Sequence, residues 1–106
     1  FELVAGPCQQ TPEGQSNVGM ADCFRLEAKI WDDLLNENYK SLRDVIDAAQ
    51  AAKLRDMQRA WIASRDATCA FYDVKIHGTM AIPMGAACLA RETARRAVLL
   101  KFFTRL

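Results

Sequence analysis

The chain has 106 residues, of which 14 are basic and 13 acidic, so its formal net charge is only +1. This length predicts a single domain, residues 1–106, and the balanced charge gives no general attraction to nucleic acid. No run of about 18 apolar residues occurs, so no membrane-spanning segment is predicted. Because 51% of the residues are hydrophobic, we expect a core of modest size.

The charge is unevenly distributed along the chain. Residues 1–50 carry nine acidic and four basic side chains, a net of −5, whereas residues 51–106 carry four acidic and ten basic ones, a net of +6. One interpretation is that an acidic first half packs against a basic second half in one bundle. The other is that the last helix offers a basic face to an anionic partner through Arg91, Arg95, Arg96, Lys101 and Arg105.

The first long helix follows an irregular N-terminal arm. Residues 1–18 are rich in Pro, Gly, Ser and Asn, which are typical of turns, whereas no Gly or Pro occurs from Met20 until Gly78. Apolar side chains then recur at steps of three or four, which predicts a helix over about 19–46 with one buried face, formed by Phe24, Ala28, Trp31, Leu35, Tyr39, Leu42 and Ile46.

Two further helices complete the predicted fold. Asp47 and Gln50 resemble a capping box and predict a second helix over about 48–76, with a stripe of Leu54, Met57, Trp61, Ser64, Thr68 and Phe71. After the interruption HGTMAIPMG, a third helix is predicted over about 86–105. Its end, AVLLKFF, is apolar nearly all the way round the helix. A single buried stripe cannot cover all of that apolar surface. The fold class is therefore all-α, a three-helix antiparallel bundle with a long first helix.

The four cysteines Cys8, Cys23, Cys69 and Cys88 allow three pairings. Local pairing gives Cys8–Cys23 and Cys69–Cys88, and each bridge would stabilise the fold by about 3 kcal/mol. Two disulfides would place the protein in an oxidising compartment, whereas the alternative is four reduced, buried thiols. No C-x-x-C pair is present and His77 is the sole histidine, so neither a metal site nor another cofactor is predicted.

The segment MQRAWIASRDATC combines charged and aromatic side chains on the second helix. Trp61 and Arg65 lie four residues apart and share a face, where the guanidinium can stack on the indole and reach Asp32, Asp33 or Glu37 of the first helix. Asn36 and Tyr39 are expected to form a polar anchor across the bundle. We interpret this set as a structural clasp, with a ligand site as the alternative.

No group of residues has the spacing of a catalytic site. The chain contains no Ser-His-Asp arrangement and no Gly-rich phosphate loop, and the adjacent Asp32 and Asp33 point apart on a helix. His77 stands alone beside Gly78. We therefore expect no enzymatic activity.

Nearly the whole chain resembles the LprI-type family of small secreted bacterial domains named after a lysozyme inhibitor. The resemblance is carried by the cysteines, by WDDLLNENY, by MQRAWIASRDATC and by CLARETARRAVLL. The matching positions are Asp32, Leu35, Asn36, Tyr39, Gln58, Arg59, Ala60, Trp61, Ile62, Arg65, Asp66, Cys69, Cys88, Leu89, Thr93 and Arg96. Trp31 departs from the family pattern, which often has Ala there. By this resemblance Gln58, Arg59, Asp66 and Arg96 join the clasp.

The resemblance implies a helical, disulfide-bonded protein that is periplasmic or secreted, with lysozyme or another envelope protein as its partner. We expect the loop 74–84, held if Cys69 pairs with Cys88, to make the contact through Lys75, His77, Thr79 and Met80. Two alternatives are a binder of anionic envelope polymer or lipid that uses the basic last helix, and a structural domain that forms a homodimer through AVLLKFFTRL.

Overall fold

The structure, a computed structural model, describes residues 5–11, 14 and 16–106. Its helices are α1 (Ala5–Gln9), α2 (Asn17–Asp44), α3 (Ala48–Lys75) and α4 (Ala81–Phe103), and the described residues form no strand. The predicted all-α fold with three long helices is confirmed. Of the arm expected to be irregular over residues 1–18, the described part contains the short helix α1 and the start of α2, whereas residues 1–4, 12, 13 and 15 lie outside the described residues.

Helix α4 begins at Ala81, earlier than the expected start near Ala86. The prediction treated Pro83 and Gly85 as parts of a loop because both residue types commonly interrupt helices. Pro83 is the third residue of α4, however, where a backbone N–H would have no helical acceptor, so proline is tolerated there. The connection between α3 and α4 is therefore residues 76–80, much shorter than the predicted loop 74–84.

Side-chain caps define where α2 and α3 begin. Ser16 accepts the backbone N–H of Gly19 at 2.9 Å at the start of α2. At the start of α3, Asp47 Oδ1 accepts the N–H of Gln50 at 2.8 Å, and Gln50 Oε1 accepts the N–H of Asp47 at 3.4 Å. The predicted capping box is thus formed. It marks the boundary between α2 and α3, which the spacing of apolar residues alone did not reveal.

The closest packing in the molecule joins α2 and α4, which run parallel to each other. Ala90, Ala94 and Ala97 are buried along α4, and their small side chains let the two backbones approach. Asn38 Nδ2, on α2, donates to the backbone carbonyl of Ala97, on α4, at 2.8 Å. This hydrogen bond links the two helices directly. Helix α3 runs antiparallel along the other side of α4, and the molecule measures 48 × 29 × 15 Å.

The apolar core lies at the end of the molecule that contains the α2–α3 turn. It comprises the buried residues Leu35, Leu42, Leu54, Ala97 and Leu100, with Trp31, Tyr39, Ile46, Met57, Trp61 and Phe103 packed against them. The predicted stripe of α3 is only partly correct. Ser64, Thr68 and Phe71 are exposed, because Gln58 and Cys69 occupy the face that meets α4.

Two disulfides hold the opposite end of the molecule, which we call the loop end because it contains the connection 76–80. Cys8–Cys23 joins α1 to α2 and Cys69–Cys88 joins α3 to α4, with sequence separations of 15 and 19 residues. The local pairing is confirmed, and the alternative of four reduced cysteines is wrong. Among the described residues, no helix is both long enough and apolar enough to cross a membrane.

Replacing Ala94 by Leu should destabilise the protein by about 1–3 kcal/mol, because the larger side chain has to fit between α2 and α4. Ala94 has no solvent exposure, whereas Ala67 on α3 is exposed. Ala67→Leu makes the same change of size at the surface, so it is the matched control and should change stability by less than about 0.5 kcal/mol. Urea denaturation measures both, and an equal effect of the two substitutions would contradict close packing at Ala94.

Candidate functional site

Trp61 is the centre of the charged and aromatic cluster predicted from the segment MQRAWIASRDATC. The guanidinium carbon of Arg65 lies 5.0 Å from the centre of the Trp61 ring, and that of Arg96, on α4, lies 4.8 Å from it. Cation–π contacts of this kind contribute about 0.5–1 kcal/mol at exposed sites and more where water is excluded. The cluster joins α3 to α4 beside the apolar core, against which Trp61 also packs.

The two arginines of the cluster differ in their polar partners. Arg65 Nε donates to Asp66 Oδ1 at 2.9 Å, and its Nη1 donates to Thr93 Oγ1 of α4 at 3.4 Å. The carboxylates of α2 that were expected to pair with Arg65 are therefore not its partners. Desolvation by burial lowers the pKa of Arg96, although a guanidinium remains charged at neutral pH.

Not all of the predicted clasp residues come together. Asn36 is exposed, and its contact, Nδ2 to Asp32 Oδ2 at 3.5 Å, stays within α2, so it does not anchor another helix. Asn38 makes the cross-helix hydrogen bond instead. Arg59 is exposed, and Tyr39 is half-buried against the core.

Gln58 lies on the buried face of α3, with only 6% of its surface exposed. Its Oε1 accepts no hydrogen bond within the described part of the chain. The clasp that the geometry supports therefore consists of Trp61, Arg65, Asp66, Thr93 and Arg96, with Gln58 beside the core rather than in the charged cluster.

A buried carboxylate that the sequence did not reveal connects α1 to α2. Glu27 is 1% exposed. Its Oε1 accepts the backbone N–H of Ala5 at 3.0 Å, and its Oε2 accepts the indole N–H of Trp31 at 2.7 Å. The available signal was the spacing Cys23, Glu27, Trp31, which places an acid between a cysteine and an indole on one helix face.

The basic side chains of α4 do not form one exposed face. Arg96 stacks on Trp61, while Arg91 and Arg95 both lie near Glu92, at 3.7 Å and 3.2 Å between the charged atoms. Lys101 and Arg105 are exposed further along the chain. The positive charge that α4 offers to an anionic polymer is therefore smaller than the sequence count implies, and this alternative remains a prediction.

The predicted contact residues Lys75, His77, Thr79 and Met80 lie together at the loop end, and all are exposed. Lys75 is the last residue of α3, and the other three belong to the connection. Gly78 has a φ of 96°, a conformation that L side chains rarely adopt, so it allows the chain to reverse between two helices. Asn17 Nδ2 donates to Thr79 Oγ1 at 2.8 Å and ties the connection to the start of α2.

Several exposed apolar side chains surround this connection. Val74 is 67% exposed and Met80 is 49% exposed, and Phe71, Ile82 and Met84 are also exposed. Single exposed apolar residues are ordinary, but several at one end of a molecule are typical of a protein-binding surface. Methionine also adapts its shape to different partners. The loop end thus presents apolar side chains on a backbone that a disulfide and a hydrogen bond hold in place.

A concave region of about 820 Å³ lies at the opposite end, between the α2–α3 turn and the end of α4. Its lining is mainly apolar, and Lys53 is the ionisable side chain in it. A site for acid–base chemistry needs several ionisable groups that converge on one point, and this region does not bring them together. Among the described residues, no group of three His, Cys, Asp or Glu side chains has the arrangement of a metal site.

The geometry defines a class of protein: a small helical domain, held by disulfides, whose most evident feature is a braced loop with exposed apolar side chains. The chain belongs to the lysozyme inhibitor LprI family, whose model matches residues 8–100. The predicted family is thereby confirmed. Comparison with curated proteins and with solved structures gives no match. The two disulfides and the family together indicate an extracytoplasmic protein.

Glu27→Gln should destabilise the protein by about 1–3 kcal/mol, because the new amide NH₂ group faces one of the two N–H donors that the carboxylate accepts. Glu37→Gln is the matched control on the same helix, since Glu37 is exposed, and it should change stability by less than about 0.5 kcal/mol. Denaturant unfolding of the two variants at neutral pH measures the difference. Equal stability of both variants would show that Glu27 does not hold α1 on α2.

Proposed function

We propose that this protein binds a lysozyme and inhibits it, with no catalytic step of its own, and that the loop end makes the contact. Membership of the lysozyme inhibitor LprI family supports the partner. The braced connection with exposed apolar side chains is the observation that supports the surface. The compartment that we propose is the periplasm or the exterior of the cell.

The loop end has the shape and stiffness that inhibition of a cleft enzyme requires. The connection 76–80 lies at one end of an elongated molecule. Cys69–Cys88 joins the helices on both of its sides, and the hydrogen bond from Asn17 to Thr79 restrains its middle. A loop that is already ordered loses little conformational entropy on binding, so more of its contact energy appears as affinity.

Charge does not oppose this orientation towards a basic lysozyme. Near the loop end Asp22 and Asp66 pair with Arg25 and Arg65, and both Asp73 and Lys75 are exposed, so acidic and basic side chains balance there. A basic enzyme therefore meets no net repulsion at the loop end, and the exposed apolar side chains supply the affinity.

The first experiment is a turbidity assay of bacterial cell walls with a panel of lysozymes, with and without this protein at micromolar concentration. We expect slower lysis with at least one lysozyme of the panel. Protein that has been reduced, alkylated and freed of reagent should lose the inhibition, because its loop is no longer braced. Undiminished lysis with every lysozyme would contradict the proposed function.

The contact surface is tested by Met80→Lys, which should weaken inhibition at least tenfold, because it replaces an apolar contact by a charge that repels a basic enzyme. Leu26→Lys, on α2, is the matched control. It adds the same charge as Met80→Lys, and the two residues are nearly equally exposed, Leu26 by 51% and Met80 by 49%. The apparent inhibition constant of each variant is measured in the same assay. Equal weakening would indicate that only the overall charge matters, and inhibition unchanged by Met80→Lys would exclude the loop end as the contact.

A further inference from the structure

A second surface lies along the seam between α2 and α4, away from the loop end. It is a shallow groove of about 400 Å³, and none of its lining residues belongs to α3. The groove is lined on α2 by Leu34 and Asn38, on α4 by Val98, Lys101 and Phe102, and just after α4 by Arg105. Val98 and Phe102 are each 51% exposed, although the packing that they border is the tightest in the molecule.

The two sides of this groove carry opposite charges. Lys101 and Arg105 line its α4 side. Glu37 lies on α2 three residues after Leu34, on the outer side of the same helix face, and is exposed. Within the described part of the chain, none of these three side chains forms an ion pair. The groove thus offers an apolar floor between an unpaired acid and two unpaired bases.

The direction of the helices makes this pattern complementary to itself. Asn17 contacts Thr79 and Asn38 contacts Ala97, so α2 and α4 run parallel and Glu37 lies level with the α4 turn that contains Ala97. Lys101 is one helical turn further on. A two-fold axis parallel to the helices would place α2 of one copy over α4 of the other. Each Glu37 would then face Lys101 of the other copy, and the contact would occur twice.

We propose that the α2–α4 groove binds a second copy of this chain about such a two-fold axis. Leu34, Val98 and Phe102 of each copy are buried in the contact, and the paired charges set its register. A partner with charge of one sign would satisfy only one side of the groove, whereas a second copy satisfies both. The connection 76–80 is not part of this surface, so the dimer does not depend on lysozyme binding.

The test is sedimentation equilibrium of the intact chain from micromolar to millimolar concentration, with the variants Glu37→Lys and Lys101→Glu. We expect the wild type to dimerise and each variant alone to dimerise at least tenfold more weakly, because like charges then meet at both contacts. An equimolar mixture of the two variants should regain dimers, because a mixed pair restores opposite charges at both contacts.

Asp73→Lys is the control, since it makes the same charge change as Glu37→Lys at an exposed position of α3 outside the groove. It should dimerise like the wild type, and circular dichroism should show the same helix content for all variants. A wild type that remains monomeric at millimolar concentration would overturn the proposal. So would single variants that associate like the wild type, or a mixture that associates no better than its components.

Discussion

The close approach of α2 and α4 determines where every other element lies. Alanines occupy the side of α4 that meets α2, and Asn38 bonds to the α4 backbone across the same seam. The larger apolar side chains of α4 must therefore point elsewhere. Leu100 and Phe103 take part in the core with α3, whereas Val98 and Phe102 border solvent. This division explains why α3 packs beside the α2–α4 pair and why one face of that pair stays open as a groove.

The two ends of the molecule are held by different interactions. At the end with the α2–α3 turn, leucines from three helices bury enough apolar surface to form a core. At the loop end the buried side chains are small, among them Ala5, Ala21 and Ala81, so burial there contributes little at about 25 cal/mol per Å². Two disulfides and the carboxylate of Glu27 replace it. Covalent bracing frees the apolar residues around the connection to face outward, where the proposed contact with lysozyme needs them.

Local rules predicted what depends on residues close in sequence. The spacing of apolar residues gave the helices, and the capping box at Asp47 and Gln50 gave the start of α3. The inward face of α3 depended on distant contacts, since Cys69 pairs with α4 and turns Phe71 outward. Asn36 and Asn38 could not be distinguished by composition; two residues along a helix rotate a side chain by about 200°, and only the position of α4 decides between them. The role of Glu27 could not be predicted, because it depends on α1, and no periodic pattern of apolar residues predicted that helix.

The order of the disulfides along the chain has a consequence for how the protein is made. The two bridges close consecutive segments, residues 8–23 and 69–88, and neither encloses or crosses the other. A chain that is exported from its N-terminus can therefore oxidise its first pair before the second pair has emerged. At that stage Cys8 and Cys23 are the only two of these four thiols to have emerged, so their order of appearance favours the observed bond, and the later pair meets no free thiol from the first. Sequential closure of this kind reduces the number of mispaired intermediates that an isomerase would have to correct.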